Sequence, residues 1–424
     1  MTAEAYNDQG DNFLDAGKYP EAAQAYQHAI QLKPNYAQAY YSLGWVYNEL
    51  EDYAKASAAL QQAVRFKPDY AEAYKELGFA YRSLKETDLA IDAYRQATRV
   101  NPDYAEAYYQ LGWTYNELKQ YQQALAPLTQ AILKKSDYPE AYNELGYAYR
   151  KLGRYKEAIE SYTEAVTQRT DYASAYFGLG DVYFYDTDQY PQAIAAYQKA
   201  LAIKPDNATA YHNIGWSYNE LKQYSSAVAP LQKAIELKPD YPEAYAELGY
   251  AYRKTDRYQE AMRSYQEAIR LKPDYAQPYF GLGDLYYYNL NRYQDAIAAY
   301  RQALRFKPNN AVANYNIGWA YNDASNYAEA VPALREAIRI KPEYAEAYNE
   351  LGYAYLNLNQ YSDAAGAFQQ ATRLKPDYVM AYYNLGIAYL DLGNKSGAME
   401  QYRKLQSLGD QQRAAKLLGE INKN

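Results

Sequence analysis

Apolar and small residues recur at helical spacing along the whole chain. The first helix predicted within residues 37–68 carries them at i, i+3, i+4 and i+7, on one face: Tyr40, Leu43, Gly44 and Tyr47. A polar segment follows, and a second helical pattern then runs to Pro68. Proline ends that pattern because it lacks a backbone N–H and clashes with the preceding turn. The pattern therefore predicts two short antiparallel helices joined by a tight polar turn.

The same pattern returns about every 34 residues. When the Leu-Gly or Ile-Gly pair of most units is placed at unit positions 7 and 8, twelve units follow one another, with these first residues: Ala3, Ala37, Ala71, Ala105, Pro139, Ala173, Ala208, Pro242, Ala276, Ala311, Ala345 and Val379. The sixth and ninth units have one extra residue, which we assign to the turns within 183–193 and 286–296. An insertion inside a helix would instead rotate its apolar face by about 100°. A fixed period of this length predicts a repeat architecture.

The repeats predict one elongated domain, in place of the two or three globular domains that the length alone would suggest. A helix pair of this kind cannot bury its apolar face without a neighbour, so the repeats must stack. We expect residues 1–404 to form one solenoid of twelve repeats. We expect residues 405–424 to supply a capping helix, whose apolar side carries Ala414, Leu417, Leu418 and Ile421.

The repeat resembles the tetratricopeptide repeat family over residues 3–404. In the fifth unit the signature positions are these residues: Tyr142, Leu145, Gly146, Tyr149, Ala158, Tyr162 and Ala165. One consistent departure is tyrosine, or asparagine at Asn314, where the family favours the first-signature tryptophan. The resemblance implies an all-α fold, a right-handed superhelical solenoid of antiparallel helix pairs. It also implies that the first helices line a concave groove that binds other proteins.

A longer period is visible at unit positions 9 and 12. All four tryptophans stand at position 9, and Trp113, Trp216 and Trp319 are 103 residues apart, which is three repeats. Repeats of the first kind have Trp at 9 and Asn at 12, and those of the second kind have Tyr at 9 and Arg at 12. Repeats of the third kind have Asp at 9 and an aromatic residue at 12.

We interpret these positions as the lining of a binding groove. The candidate residues are Trp45, Asn48, Trp113, Asn116, Tyr147, Arg150, Asp181, Phe184, Trp216, Asn219, Tyr250, Arg253, Asp284, Tyr287, Trp319 and Asn322. Asparagine carries donor and acceptor together and can pair with an extended peptide backbone. Trp, Tyr and Arg most often dominate binding energy at protein interfaces. The alternative is that the period records duplication of a three-repeat block, with the position-9 rings half-buried against the next repeat.

Composition and charge argue against nucleic-acid binding, catalysis and metal binding. A net charge of −7 and a pI near 5.2 argue against nucleic acid as the partner, because phosphate binding needs clustered Lys and Arg. The chain has no cysteine and only two separate histidines, so the sequence predicts no catalytic constellation, no metal site and no cofactor. We therefore predict a non-enzymatic scaffold that holds other proteins or peptide segments.

Two other functions stay open at this point. The exposed aromatics beside Asp and Asn could bind a carbohydrate or another small ligand, and the tyrosine-rich surface could drive self-association into a structural assembly. A mean hydropathy of −0.69 and the absence of a long apolar run predict no membrane insertion. Residues 1–12 lack the features of a signal peptide, which predicts a cytoplasmic protein, although a trimmed form of an exported protein would read the same.

Overall fold

The computed structural model describes residues 1–423, and its secondary structure over those residues is helical. The helices are α1 (Ala3–Asp15), α2 (Tyr19–Leu32), α3 (Ala37–Glu49), α4 (Tyr53–Phe66), α5 (Ala71–Ser83), α6 (Thr87–Val100), α7 (Ala105–Glu117), α8 (Tyr121–Lys134), α9 (Pro139–Lys151), α10 (Tyr155–Gln168), α11 (Ala173–Asp181), α12 (Tyr190–Ile203), α13 (Ala208–Glu220), α14 (Tyr224–Leu237), α15 (Pro242–Lys254), α16 (Tyr258–Leu271), α17 (Ala276–Asp284), α18 (Tyr293–Phe306), α19 (Ala311–Asp323), α20 (Tyr327–Ile340), α21 (Ala345–Asn357), α22 (Tyr361–Leu374), α23 (Val379–Asp391), α24 (Lys395–Ser407) and α25 (Gln411–Lys423).

The first helix of every repeat begins at the residue predicted from the 34-residue period. Between the two helices of a repeat the chain reverses through a residue in the left-handed region, for example Glu51 at φ 58° or Gly153 at φ 73°. Each first helix packs against the second helix of its own repeat. The predicted helix pairs and the all-α fold class are confirmed.

The helices cluster into two compact units, one of residues 1–206 and one that begins at Asn207. Within each unit a second helix also packs against the first helix of the following repeat, and neighbouring first helices touch. One such layer joins Leu60 of α4 to Leu77 and Ala80 of α5. The continuity of all twelve repeats as one domain over residues 1–404 stays a prediction.

The glycine at unit position 8 permits the close approach of paired helices. A Cβ atom at Gly44 would lie 2.5 Å from Cγ of Leu60, and one at Gly146 would lie 2.9 Å from Cδ1 of Tyr162. Real side chains do not tolerate such separations, so the large residue of the second helix fills the space that glycine leaves.

The extra residue of the sixth and ninth repeats lies in a different place from the one predicted. It is taken up at the end of the first helix, where residues 182–186 and 285–289 form π-helical turns. The N–H of Gln189 therefore donates to the carbonyl of Tyr183, six residues back, whereas Gln120 in an ordinary repeat donates to Tyr115, five residues back. The prediction of a turn insertion was wrong because a wider π turn absorbs one residue without rotating the rest of the helix.

The last helix lies against the end of the second unit. Ala414, Leu417 and Ile421 of α25 are buried among side chains of α23 and α24. The apolar side predicted for this helix is therefore the side that packs. Over the described residues, none of the helices has the length and apolar character needed to span a membrane.

Candidate partner-binding face of the first helices

The position-9 rings form a partly exposed row on the first helices of each unit. Trp216 and Tyr353 are 38% exposed, whereas Trp45, Trp113 and Trp319 are half-buried. Tyr147 and Tyr250 are also half-buried. Position 9 adjoins the buried Leu-Gly pair, and each of these rings is partly covered and partly open to solvent.

Aromatic contacts, from the preceding repeat or from the same helix, hold these rings in fixed orientations. The ring of Tyr147 meets Tyr121, the first residue of α8, edge-on at 5.8 Å between centroids. The equivalent pair of Tyr224 and Tyr250 lies at 5.7 Å. Trp113 stacks with Tyr109 at 6.3 Å. These edge-on and stacked arrangements suit the charge distribution of aromatic rings and restrict their rotamers.

The position-12 asparagines are buried and join each first-kind repeat to the next one. In every case Nδ2 donates to both the backbone oxygen and the side-chain Oε2 of a glutamate 28 residues later. The pairs are Asn48–Glu76 at 3.2 and 3.1 Å, Asn116–Glu144 at 3.0 and 3.0 Å, Asn219–Glu247 at 3.1 and 2.9 Å, and Asn322–Glu350 at 3.0 and 3.1 Å. The amide donors expected to meet a peptide backbone are thus already used within the chain.

The glutamates of these pairs are strongly desolvated. Burial raises the pKa of Glu144, Glu247 and Glu350 above the usual value for glutamate, although the asparagine donors oppose that rise. A hydrogen bond to the ionised form always favours that form. The asparagine therefore favours the ionised form of the glutamate, whereas burial favours the protonated form.

The position-12 arginines join the second kind of repeat to the third. Arg150 donates to Asp181 at 2.7 Å and to Asp186 at 2.6 Å. In the second unit, the buried Arg253 donates to Asp284 at 3.2 Å. Each position-9 aspartate also accepts a bond from the tyrosine hydroxyl of its own second helix, at 2.8 Å for Asp181 and at 2.8 Å for Asp284. Charged groups that satisfy one another in this way fix the register of neighbouring repeats.

The aromatics at position 12 of the third kind lie in the core. We expected Phe184 and Tyr287 to line the groove, but both are 5% exposed. Tyr287 packs on Trp319 at 5.3 Å between ring centroids. The exposed rings are those of the following residues, Tyr185 at 53% and Tyr288 at 49%. Position 12 is buried in repeats without a π turn as well, at Asn116 and Arg253 for example, so burial of this position is common to the three kinds of repeat.

The three-repeat period therefore has a structural role at position 12. There, each kind of repeat contacts the next repeat through a different type of side chain. Gly178 at position 6 of the third kind belongs to this scheme, because a Cβ there would lie 2.5 Å from the ring of Tyr162 in the preceding repeat. Position 9 differs from position 12 in that its rings reach the surface.

Two pockets open beside position-9 rings in the first unit. One of about 330 Å³ is lined by Trp113, Asn116, Glu117, Lys119, Asn143, Glu144 and Tyr147. The other, of about 300 Å³, is lined by Trp45, Glu49, Lys75, Glu76, Phe79, Glu106 and Gln110. We call each pairing of a position-9 tryptophan with the next position-9 ring and the intervening acidic residues an aromatic–acidic junction. The second unit has two with the same residue types, at Trp216–Tyr250 and Trp319–Tyr353.

The residue types at these junctions suit non-covalent binding of a ligand. Each offers flat aromatic surface and carboxylate or amide oxygens. Within residues 1–423 there is no group of three or more His, Cys, Asp or Glu side chains that could hold a metal ion.

Comparison with known proteins finds solved structures that match part or nearly all of the chain, each with a TM-score below 0.5. No curated protein sequence matches the chain significantly. The crystal structure of MamA is 30% identical, with a TM-score of 0.37, and the match covers 39% of this chain and 96% of that one. YrrB, described as a TPR protein with an unusual peptide-binding site, is 24% identical with a TM-score of 0.41, covering 44% of this chain and 96% of its own. Yeast Tom70 is 17% identical with a TM-score of 0.37, covering 99% of this chain and 96% of its own.

Sequence models of one family match nearly the whole chain. Models described as "Tetratricopeptide repeat" match residues 106–136, 137–206, 171–240, 231–263, 280–345, 315–375 and 349–414. A model described as "TPR repeat" matches residues 10–50, 44–85, 78–119 and 249–289. Together these matches cover residues 10–414. The chain belongs to the tetratricopeptide repeat family.

Proposed function

We propose that the chain is a non-enzymatic scaffold that binds protein or peptide segments on the groove side of its first helices. One observation carries the proposal: the aromatic–acidic junction occurs four times, always at the same unit positions. Core packing explains the small residues at position 8 but does not require an indole that reaches the surface at position 9.

The site is prepared for binding before a partner arrives. The rings of Trp113 and Tyr147 are held by stacked and edge-on contacts, so little side-chain entropy remains to be lost on association. A well-placed aromatic anchor contributes roughly 2 kcal/mol or more at an interface. The Asn–Glu and Arg–Asp pairs join neighbouring repeats and so help to keep the position-9 rings in place.

The partners we propose are proteins and peptide segments, not nucleic acid. A net charge of −7 opposes phosphate binding, and the carboxylates at the junctions would repel a nucleic-acid backbone. A second copy of the chain is one partner within this class.

The proposal is tested with the full chain as bait. We would replace Trp113, Trp216 and Trp319 with alanine together and quantify captured proteins by isotope-labelled mass spectrometry. The matched control removes three exposed leucines from second helices: Leu32, Leu133 and Leu237.

The expected result is loss of the specifically captured proteins in the tryptophan variant and their retention in the leucine variant. Circular dichroism confirms that both variants are folded. Undiminished capture by a folded tryptophan variant would contradict the proposed face.

A further inference from the structure

In one junction a lysine of the chain forms an ion pair with the junction glutamate. Lys75 stands at unit position 5 of the third repeat and lines the pocket of Trp45 and Phe79. Its Nζ lies 2.7 Å from Glu76 Oε1 and 3.3 Å from Glu106 Oε1, and the side chain is only 17% exposed. Burial lowers the pKa of Lys75, but the charge of Glu76, its hydrogen bond to Lys75 and the charges of Tyr104 and Glu106 together outweigh burial and leave the pKa above the usual lysine value. The pocket thus holds a largely buried ammonium group.

The other three junctions lack that lysine. The equivalent position-5 residues are Asn143, Ala246 and Asn349. The position-6 glutamate, which is Glu76 beside Lys75, is present in all three junctions as Glu144, Glu247 and Glu350. The second partner, Glu106, is not kept. Over residues 1–423 none of these three glutamates forms an ion pair, and their carboxylates accept only amide donors.

The pocket at Trp113–Tyr147 shows the resulting imbalance. Glu144 accepts from Asn116 at 3.0 Å and from Asn143 at 3.3 Å, and burial raises its pKa above the usual value. Asn116 lines the same pocket and is 4% exposed, and its Oδ1 lacks a hydrogen-bond donor, as does the Oδ1 of Asn48 in the junction that contains Lys75. The pocket therefore offers a largely buried carboxylate without a cationic partner, which suits a positively charged donor.

The tryptophan of this junction already has a cation–π contact with a cation of the chain. The guanidinium of Arg82, from the preceding repeat, lies 3.9 Å from the centroid of the Trp113 ring. Arg82 does not line the pocket between Trp113 and Tyr147. Indole is the aromatic group that attracts cations most strongly, so the ring suits a second positive group from the pocket side.

We propose that the junctions at Trp113–Tyr147, Trp216–Tyr250 and Trp319–Tyr353 each take a lysine or arginine side chain from a bound protein segment, in the place that Lys75 fills within the chain. This inference rests on the proposed function and names the chemistry of the partner, a basic segment. The carboxylate supplies a charge-assisted hydrogen bond and the indole supplies a cation–π contact. The net charge of −7 favours approach of such a segment at low ionic strength.

The four tryptophans of the chain stand one at each of the four aromatic–acidic junctions, so each can report on its own junction. The full chain is labelled with 5-fluorotryptophan, and its four fluorine resonances are assigned with single Trp→Phe variants. The probe is an acetylated, amidated peptide of alternating lysine and glycine. Its controls are the same peptide with acetylated lysines and free spermine.

We expect saturable shifts for Trp113, Trp216 and Trp319 and little change for Trp45. Asn143→Lys supplies an internal cation and should weaken the response at Trp113 by about threefold to thirtyfold, the range of one cation–π contact. The other two responses should stay unchanged. The reciprocal variant Lys75→Asn should create a new response at Trp45, and thermal melting checks that each variant is folded.

Several outcomes would overturn the inference. They are shifts that acetyl-lysine peptide produces equally well, an unchanged Trp113 response in Asn143→Lys, or no response to the lysine peptide at any tryptophan. A response to spermine alone would assign the pockets to free polyamines instead of protein segments. If capture in the bait experiment depends on the tryptophans while the lysine peptide fails, the proposed function stands and only the basic partner is refuted.

Discussion

Removing the Asn116 side chain should destabilise the junction between the fourth and fifth repeats in a pH-dependent way. The Asn116→Ala variant loses two hydrogen bonds of 3.0 Å, one to a buried carboxylate and one to a backbone oxygen of Glu144. A hydrogen bond to a charged group contributes roughly 1.5–3 kcal/mol, and one between neutral groups roughly 0.5–1.5 kcal/mol. At pH 7 we expect a total loss of about 2–4 kcal/mol in unfolding free energy.

The sign of the pH effect follows from the raised pKa of Glu144. A carboxyl whose folded-state pKa lies above its unfolded value contributes stability that is full below the unfolded pKa and is lost as pH rises through the folded one. Asn116 reduces that loss because it favours the ionised form. The cost of Asn116→Ala should therefore be largest at neutral pH and fall towards about 1 kcal/mol near pH 4, where Glu144 is protonated.

Urea unfolding followed by circular dichroism measures this cost at both pH values. Hydrogen exchange of peptides from α7 to α9 locates it, since repeats couple mainly to their nearest neighbours. The control is the same substitution in a Glu144→Gln background, where the cost should be small and independent of pH. A cost that is equal at both pH values and in both backgrounds would refute the role given to this pair.

Three further substitutions test the packing. Gly146→Leu should lower stability by roughly 1–3 kcal/mol through overpacking against Tyr162, and an unchanged melting temperature would count against that contact. Gly366→Ala should raise stability by up to about 1 kcal/mol, because this helical glycine in α22 has open space around it; a loss in the same melting assay would contradict this. Arg253→Met should cost about 1–3 kcal/mol in urea unfolding, because it leaves the partly buried Asp284 without its cation, and Asp284→Asn in the same chain should recover part of the loss.

The 34-residue period was enough to predict the helix pairs. It fixes which residues share a helical face, so the first residue of every first helix and the need for glycine at position 8 followed directly. Those features depend only on contacts within a repeat or on the strict repetition of one contact.

The role of position 12 depends on the neighbouring repeat and could not be read from one helix. Asn116 and Arg150 look like solvent-exposed polar residues on a single helical wheel, yet each bonds to a residue about 30 positions later. A signal for this was present in the sequence. Every first-kind asparagine is followed 28 residues later by glutamate, and Arg150 and Arg253 are each followed 31 residues later by aspartate. In the sequence, the π turns are visible only as one extra residue in the sixth and ninth repeats. A wider helical turn and a longer loop explain that insertion equally well.

The central claim is that partners bind where the tryptophans are, and one measurement addresses it directly. A partner captured by the full chain is added to the 5-fluorotryptophan-labelled protein, and the four fluorine signals are recorded at saturation. We predict that at least one of the signals of Trp113, Trp216 and Trp319 shifts or broadens on binding. A partner that binds to saturation while all four tryptophan signals stay unchanged would contradict the account.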